Sequence, residues 1–282
     1  MIAADPLLLT ILDRPDDDAP RLVFADWLEE QGEPQAELIR VQCEWAHLDK
    51  GDPRRGALER RESELRQIYD PVWFGPLREN NISGTFRRGF LQVKVKGIRR
   101  FLELAERLLS RPWVLHVELE DKRAGREALV ALVNSPYFVR LRGLDLSGSR
   151  LGNEGVNLLT RARTPCRLTQ LDLSNNQIST NAVRALTESL DLSHLLELRL
   201  SGNGIGAQGA RALATCSRLA RLRVLDLTYN LLGNEGGQHL SEAKSLNQLQ
   251  RLMVRGNSIG PRGSKALRRR FGPRVYFGNR SV

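Results

Sequence analysis

Residues 195–205 read LLELRLSGNGI, and the same spacing of leucine and asparagine recurs on both sides of this segment. The segment aligns without gaps with residues 141–151 (LRGLDLSGSRL), 168–178 (LTQLDLSNNQI), 222–232 (LRVLDLTYNLL) and 249–259 (LQRLMVRGNSI). Each copy begins 27 residues after the previous one. Five copies at one constant step indicate an array in which stacked neighbours bury an apolar face that one unit cannot bury alone.

Each unit predicts one strand and one helix. Leu144 and Leu146 alternate with polar residues, which is typical of a strand with one buried face. The later part of a unit, such as residues 210–214, has the apolar spacing of a helix. The ninth position of each copy holds a polar residue, and an asparagine there can bond the backbone of a tight turn: Ser149, Asn176, Asn203, Asn230 and Asn257.

Weaker copies flank the regular units. Residues 114–119 (VLHVEL) place Val114, Val117 and Leu119 at the leucine positions, with Lys122 in place of asparagine. Before them, residues 90–95 (FLQVKV) lead into a helical stretch at 101–109. Residues 275–277 align with residues 252–254 and predict a closing strand. Irregular ends are expected because terminal repeats must cover the core.

The repeat resembles the ribonuclease-inhibitor-like class of leucine-rich repeats over about residues 90–280. The resemblance implies an α/β leucine-rich repeat solenoid, shaped as a right-handed horseshoe with a parallel inner sheet and outer helices. It also implies a protein-binding role, because members of this class are mostly interaction scaffolds. We therefore predict an array over residues 81–282, with degenerate units at 81–140, regular units at 141–260 and a carboxyl-terminal cap at 261–282.

Ahead of the array, residues 1–80 predict a small, acidic, all-α domain. Asp5-Pro6 and Asp18-Ala19-Pro20 can each begin a helix, and a strongly charged helix is expected at about residues 54–69. The helix after Asp18 carries apolar residues that we interpret as its buried face: Leu22, Val23, Trp27 and Leu28.

Residues 15–32 read PDDDAPRLVFADWLEEQG, and AELIRVQ follows at residues 36–42. These two segments resemble the bacterial repeat-companion domain, which occurs in front of different repeat arrays. The resemblance brings no biochemical activity with it. We interpret Asp26 and Trp27 as a helix cap and a core anchor, and a ligand site at these residues is the alternative.

The net charge of +10 is divided unevenly along the chain. Residues 1–80 carry a net charge of −8, whereas residues 81–282 carry +18. This asymmetry is consistent with two modules and with a basic surface that attracts an acidic partner. Alternatively, the charge reflects arginine spread over solvated faces, since 37 of the 43 basic residues are Arg.

Several classes of protein and site are disfavoured. No apolar run reaches the roughly 18 residues of a membrane span, and acidic residues and proline stand where a signal peptide needs basic residues, so a cytoplasmic protein is expected. Three separated cysteines without metal-ligand spacing predict reduced, semi-buried thiols: Cys43, Cys166 and Cys216. Four histidines occur without a catalytic motif, so we expect no enzyme, metal or cofactor: His47, His116, His194 and His239.

Residues 204–209 (GIGAQG) imitate a dinucleotide-binding fingerprint, with Asp226 some 17 residues further on. The neighbouring units place Gly233 and Gly236 at the positions equivalent to Gly206 and Gly209. The repeat therefore already explains two of the three glycines, and we do not predict a nucleotide site.

The residues between the leucines predict the functional surface, because they must face away from the core. One column across the strands reads Lys94, Glu118, Asp145, Asp172, Arg199, Asp226 and Met253, and the next reads Ser147, Ser174, Ser201, Thr228 and Arg255. With strands about 4.8 Å apart, the face is roughly 30 to 40 Å long, which is wide enough for a protein surface. We predict that a protein partner binds this concave face through Asp145, Asp172, Arg199, Asp226, Tyr229, Met253 and Arg255.

Two alternatives concern the charged residues. The aspartates can be structural residues of the strand that bond nearby hydroxyls, and Tyr229, Met253 and Arg255 are then the stronger candidates for binding energy. Basic residues concentrate at the two ends of the array: Arg87, Arg88, Lys94, Lys96, Arg99 and Arg100, and then Arg262, Lys265, Arg268, Arg269, Arg270 and Arg274. They predict either nucleic-acid contacts or solvated caps. We expect a monomer and a protein partner that the sequence does not identify.

Overall fold

A computed structural model describes residues 7–8, 10–11, 17–49, 51–78, 82–109, 114–162 and 167–278. The helix start predicted at Asp5-Pro6 lies outside these residues, as do Pro15, Asp16 and Cys166. The helices are α1 Ala19–Glu30, α2 Gln35–His47, α3 Arg55–Arg78, α4 Ile98–Leu109, α5 Arg126–Asn134, α6 Gly152–Leu159, α7 Thr180–Ser189, α8 Ala207–Thr215, α9 Gly233–Ser241 and α10 Pro261–Phe271. The strands are β1 Ser83–Arg87, β2 Phe90–Lys96, β3 Val114–Glu120, β4 Gly143–Asp145, β5 Gln170–Asp172, β6 Glu197–Arg199, β7 Val224–Asp226, β8 Arg251–Met253 and β9 Val275–Tyr276.

The chain forms two compact units. The first contains residues 1–95 and 104–117, and the second contains residues 96–103 and 118–282. The boundary predicted at residue 80 stays a prediction, and the first unit includes β1 and most of β2 in addition to the helices that precede them.

The first unit has a core shared by α1, α2 and β2. Phe24, Ile39 and Phe90 are buried there, with the rings of Phe24 and Phe90 5.4 Å apart. The predicted buried face of α1 was partly wrong, because Leu22 and Val23 are 41% and 50% exposed. The buried stripe follows helical spacing through Arg21, Phe24, Ala25 and Leu28 instead, and it includes an arginine that pairs with a buried aspartate.

Helix α3 is longer than predicted. It extends to Arg78, nine residues past the expected end, and it passes through Pro71. A proline disfavours helical geometry in the residue before it, and the helix nevertheless continues through Asp70 and Pro71. The helix tolerates the lost backbone donor at this position.

Strands β1 and β2 form an antiparallel hairpin that the repeat pattern did not predict. Arg88 and Gly89 connect them, and both have positive φ (50° and 79°), as a two-residue turn between twisted strands requires. Gln35 Nε2 donates to the Gly89 carbonyl at 2.5 Å, and the Gly89 amide donates to Gln42 Oε1 at 2.6 Å. A Cβ on Gly89 would lie 2.4 Å from the Ile39 Cα, so the turn packs directly on the backbone of α2.

In the second unit, β3 to β9 pair in parallel with their sequence neighbours. The register confirms the predicted column, since Asp145, Asp172, Arg199, Asp226 and Met253 lie opposite one another in turn. Val275 lies opposite Leu252, as the closing-strand alignment predicted. The predicted place of Glu118 was wrong, because Glu120 lies opposite Asp145. The step from β3 to β4 is thus two residues shorter than the 27-residue step of the regular units. A register shift of two residues leaves each side chain on the same face of the sheet.

In four of the five regular units, an asparagine side chain links the turn of its own unit to the preceding unit. Asn230 Nδ2 donates to the carbonyls of Leu227 and Thr228 in its own turn and to Leu200 in the unit before. Its Oδ1 accepts from the Ile205 amide at 3.1 Å. Asn176, Asn203 and Asn257 make the equivalent bonds. These bonds extend the predicted role of the asparagine from its own turn to the stacking of units.

Candidate functional site

The residues between the leucines lie on the solvent-exposed face of the sheet in the second unit, opposite the face that packs on the core. Leu252 and Val254 of the last regular unit are buried, whereas Arg251 and Arg255 are exposed and Met253 is half-buried. Because strand side chains alternate, Arg251, Met253 and Arg255 share one face. The same alternation holds in the other units, so the predicted residues do line one surface.

The three aspartates of this face have a structural role. Asp145 Oδ1 accepts from the Ser147 amide at 2.9 Å, and Asp172 and Asp226 accept from the amides two residues later at 2.8 Å. Such bonds stabilise the turn that follows the strand. The alternative that these aspartates are structural is therefore supported, with backbone amides as the donors in place of the suggested hydroxyls.

Arg199 interrupts the acidic column. Its guanidinium lies 2.5 Å from Glu197 Oε1 on the same strand and 3.8 Å from Asp172 Oδ2 on the neighbouring strand. The like-charge crowding of Asp145 and Asp172 is thus relieved on one side by this cation. Arg199 remains exposed, so it can also contact a partner.

The face changes character at its carboxyl-terminal end, where aromatic residues and arginines lie together. The Arg255 guanidinium carbon lies 5.6 Å from the centre of the Tyr229 ring, and the Tyr229 amide donates to the Arg255 carbonyl at 2.7 Å. Tyr276 lies opposite Met253, and its ring centre is 6.0 Å from the Arg251 guanidinium carbon. We call these residues, together with Leu231, the carboxyl-terminal patch: Tyr229, Leu231, Arg251, Met253, Arg255 and Tyr276.

Leu231 was missed by the sequence analysis. It is 70% exposed, and its turn also contains Tyr229, which is 54% exposed. The equivalent residues of the other four units are polar or glycine: Arg150, Gln177, Gly204 and Ser258. A comparison of this column across the repeats would have identified Leu231, because it is the one apolar residue in it.

Some arginines of the two basic clusters, at residues 87–100 and 262–274, are bonded within the fold. Arg88 of the first cluster donates to the buried Asp18 carboxylate at 2.9 Å. In the second cluster, Arg270 donates to the Ala243 carbonyl and Arg274 to the Leu249 carbonyl. Four further members of the second cluster are exposed: Arg262, Lys265, Arg268 and Arg269.

A second open surface lies between α7 and α8. It is a groove of about 650 Å³ whose lining includes Arg184, Arg211 and Arg218. Arg218 donates to the Thr187 carbonyl, and Glu188 lies 3.9 Å from Arg184. The groove lining lacks the exposed apolar residues of the carboxyl-terminal patch. Changes to its arginines therefore serve as a control for changes to the patch.

The histidines and cysteines that could take part in chemistry either pair with a single carboxylate or are buried. His47 Nε2 lies 2.9 Å from Asp18 Oδ2, and His239 Nε2 lies 3.3 Å from Glu235. Cys43 and Cys216 are buried, and burial followed by the charge of Asp18 raises the pKa of Cys43 to about 12. No group of three His, Cys, Asp or Glu side chains suited to a metal ion occurs among the described residues.

The glycines of residues 204–209 serve the repeat. The Gly206 amide donates to Thr180 Oγ1 at 3.0 Å and the Gly204 amide to the Ile178 carbonyl at 2.8 Å. A Cβ on Gly209 would lie 2.6 Å from Ile205 Cγ2, which explains the need for glycine there. The amides of Gly204 and Gly206, which a pyrophosphate would need, are thus bonded within the array.

The motif residues of the first unit also have structural partners. Asp26 and Glu29 of α1 both accept from Arg40 Nη2 of α2 at 2.8 Å. Trp27 stacks on Phe24 with ring centres 5.5 Å apart. These contacts support the interpretation of Trp27 as a core anchor, and they give Asp26 an interhelical ion pair in place of a cap.

A family-model match agrees with the repeat architecture. A family model described as Leucine Rich repeat matches residues 165–186, 189–214 and 221–241. No curated protein matches the chain. Among solved structures, an internalin from Listeria monocytogenes is similar with 21% sequence identity and a TM-score of 0.37. The match covers 59% of this chain and 48% of the internalin, so it spans about half of that protein.

Within the described part of the chain, no helix has the length and apolarity needed to cross a membrane. The second unit repeats one strand and one helix at the 27-residue step, with a parallel sheet and asparagine-bonded turns. The family match falls within these units. The chain therefore contains leucine-rich repeats and has the leucine-rich repeat fold, preceded by a helical region.

Proposed function

We propose that the strand face of the second unit binds a protein partner and that the chain is a non-catalytic interaction scaffold. Leucine-rich repeat proteins generally act in protein–protein interaction and are typically not enzymes. One observation carries the proposal for this chain: Tyr229, Met253 and Arg255 replace the small and acidic residues of the regular columns on the exposed face. Aromatic residues, methionine and arginine are enriched where interfaces gain their binding energy.

We propose that the aspartates of the same face contact the partner beside Tyr229, Met253 and Arg255. The turns use one carboxylate oxygen of Asp145, Asp172 and Asp226. The second oxygen of Asp145 and Asp226 can contact a partner, whereas Asp172 Oδ2 lies 3.8 Å from Arg199. Arg199 adds a cation between them. Solvated charges of this kind set orientation and association rate more than affinity, so we expect them to contribute less than the aromatic end.

Affinity capture tests this proposal. The full chain is immobilised and exposed to nuclease-treated lysate of the cells that produce it, beside a variant with Tyr229, Met253 and Arg255 all changed to Ala. We expect specific protein bands with the wild type and their loss with the triple variant. A matched control changes Arg184, Arg211 and Arg218 of the groove to Ala, and it should retain the bands. Bands that survive the triple change and disappear with the control would overturn the proposal.

A nucleic-acid role is the second candidate, and one observation favours it. Residues 243–282 contain ten Lys and Arg and no Asp or Glu. Four of these cations are exposed on α10. Phosphate binding through such cations would weaken steeply with salt. Capture that disappears after nuclease treatment, with retention on heparin at low salt, would favour this candidate over the protein partner.

We further propose that residues 1–80 are a bacterial repeat-companion domain whose motif is structural. The support is that Asp18 and Arg21 of the motif form a buried ion pair, to which Arg88 of the hairpin turn also donates. The motif would then act by holding the hairpin, and no ligand is needed to explain it. Replacing Asp18 with Ala should destabilise the first unit without changing the captured partner.

A further inference from the structure

Tyr229 occupies a turn position that the other four units give to glycine or asparagine. The backbone φ at this position is positive in all five units: 70° at Gly148, 57° at Asn175, 66° at Gly202, 52° at Tyr229 and 69° at Gly256. This left-handed geometry is unfavourable for a bulky residue, and glycine and asparagine tolerate it best. An aromatic residue therefore occupies this turn against the preference of the backbone.

Packing compensates for this unfavourable geometry only in part, since the Tyr229 ring lies on the turn of the next unit, where a Cβ on Gly256 would be 2.4 Å from Tyr229 Cδ1. The Tyr229 side chain is 54% exposed, and Leu231, two residues later, is 70% exposed. A residue kept in an unfavourable conformation and exposed to solvent points to a role other than folding. Two nearby turn residues therefore offer apolar surface at one edge of the sheet.

The charge around these residues is mainly positive, although Asp226 lies opposite Met253 and its Oδ1 accepts from the Thr228 amide. Arg251 and Arg255 lie on the same face as Met253, and the chain contains no acidic residue after Glu242. The opposite end of the face is acidic, since Glu120, Asp145 and Asp172 lie opposite one another on β3, β4 and β5. An acidic partner segment is thus attracted to Arg251 and Arg255 and repelled from the acidic column on β3 to β5.

We propose that the carboxyl-terminal patch binds an acidic segment of a protein partner that places an apolar side chain against Tyr229 and Leu231. Carboxylates of the segment pair with Arg251 and Arg255, whose planar guanidinium groups suit carboxylate recognition. The apolar side chain covers the exposed ring and the exposed leucine, which distinguishes this segment from a purely electrostatic polyanion. This inference rests on the proposed function, because it names the partner chemistry for the same face.

Fluorescence anisotropy of the full chain with three labelled probes tests the proposal. The first probe is a short peptide in which Asp and Glu alternate with Leu and Phe. The second has Lys in place of every acidic residue, and the third is an oligothymidylate of similar length. We expect the acidic peptide to bind at least about tenfold more tightly than the lysine peptide.

Variants that copy other units separate binding from folding. Y229G introduces the residue of Gly202 and Gly256, and L231Q introduces the residue of Gln177. Each should weaken the acidic peptide about tenfold, while circular dichroism remains that of the wild type. The control N175G changes the same turn position two units earlier, and it should leave the affinity within about twofold.

Three results would overturn the proposal: equal binding of the acidic and lysine peptides, unchanged affinity in both Y229G and L231Q, or binding of oligothymidylate that these variants weaken equally. The capture experiment separates the acidic segment from the proposed function. If the triple variant loses its captured protein and the acidic peptide does not bind, the proposed function stands and the acidic segment is wrong. If the triple variant keeps its partner and the peptide does not bind, both are wrong.

Discussion

The two compact units secure their turns in different ways. In the second unit, the same asparagine bonds recur at Asn176, Asn203, Asn230 and Asn257. In the first unit, the hairpin turn at Arg88 and Gly89 is held once, by Gln35, Gln42 and Asp18 from distant parts of the chain. Damage to one repeat should therefore remain local, because each repeat contacts only its neighbours, whereas damage to the hairpin turn should affect the whole first unit.

The largest effect is expected at Gly89. Its positive φ, and the distance of only 2.4 Å that would separate an added Cβ from the Ile39 Cα, leave no room for alanine. Gly89→Ala should therefore destabilise the first unit by about 4 kcal/mol. Urea unfolding followed by tryptophan fluorescence measures this loss selectively, because all four tryptophans lie within residues 1–117.

The matched control is Gly51→Ala, since Gly51 has nothing within 4 Å of an added Cβ. It should change the free energy of unfolding by less than about 1 kcal/mol. Equal losses in both variants would show that the hairpin turn does not secure the first unit.

A smaller and more local effect is expected at Asn230. Asn230→Ala removes three donated bonds and one accepted bond in a buried turn, and it leaves the Leu200 carbonyl without this donor. We expect the free energy of local opening to fall by about 3 kcal/mol, and only in β6, β7 and β8. Amide hydrogen exchange of these strands measures it.

Asn157→Ala on the exposed side of α6 provides the control, because its side chain is exposed. It should leave exchange in all strands unchanged. Faster exchange throughout the first unit in Asn230→Ala would contradict the local character of the repeat bonds.

The smallest effect concerns pH. The pKa of Cys43 is raised from 9.0 to about 12 by burial, so the folded state keeps the thiol protonated more strongly than the unfolded chain. The resulting stability is fully present below pH 9 and is lost progressively as pH rises from 9 towards 12. Relative to Cys43→Ala, the wild type should lose about 1 kcal/mol between pH 9 and pH 10, measured by urea unfolding at both values. A difference that stays constant with pH would show that the thiol ionises as freely in the fold as outside it.

The repeated features of the second unit could be predicted from the sequence, whereas the contacts that occur once could not. The strands from β4 to β8, the closing strand at Val275 and the asparagine turns follow from a pattern that repeats every 27 residues. The Arg88–Gly89 hairpin and the register of Glu120 depend on contacts between distant residues. The buried Arg21 depends on Asp18, three residues earlier, in a pair that no repeat predicts. For the candidate site, the column of Asp145, Asp172 and Arg199 was predictable, and Leu231 was identifiable from its column although it was missed. The bonds of the aspartates to the turn amides required the structure.

We propose that Tyr229 serves binding and not the stability of the array. Hydrogen exchange of β7 in Y229G tests it most directly, because glycine suits the positive φ while it removes the exposed ring. We expect the free energy of local opening to be unchanged or raised by up to about 1 kcal/mol. A loss of more than about 1 kcal/mol would contradict the claim, because the ring would then be a packing element of its own turn.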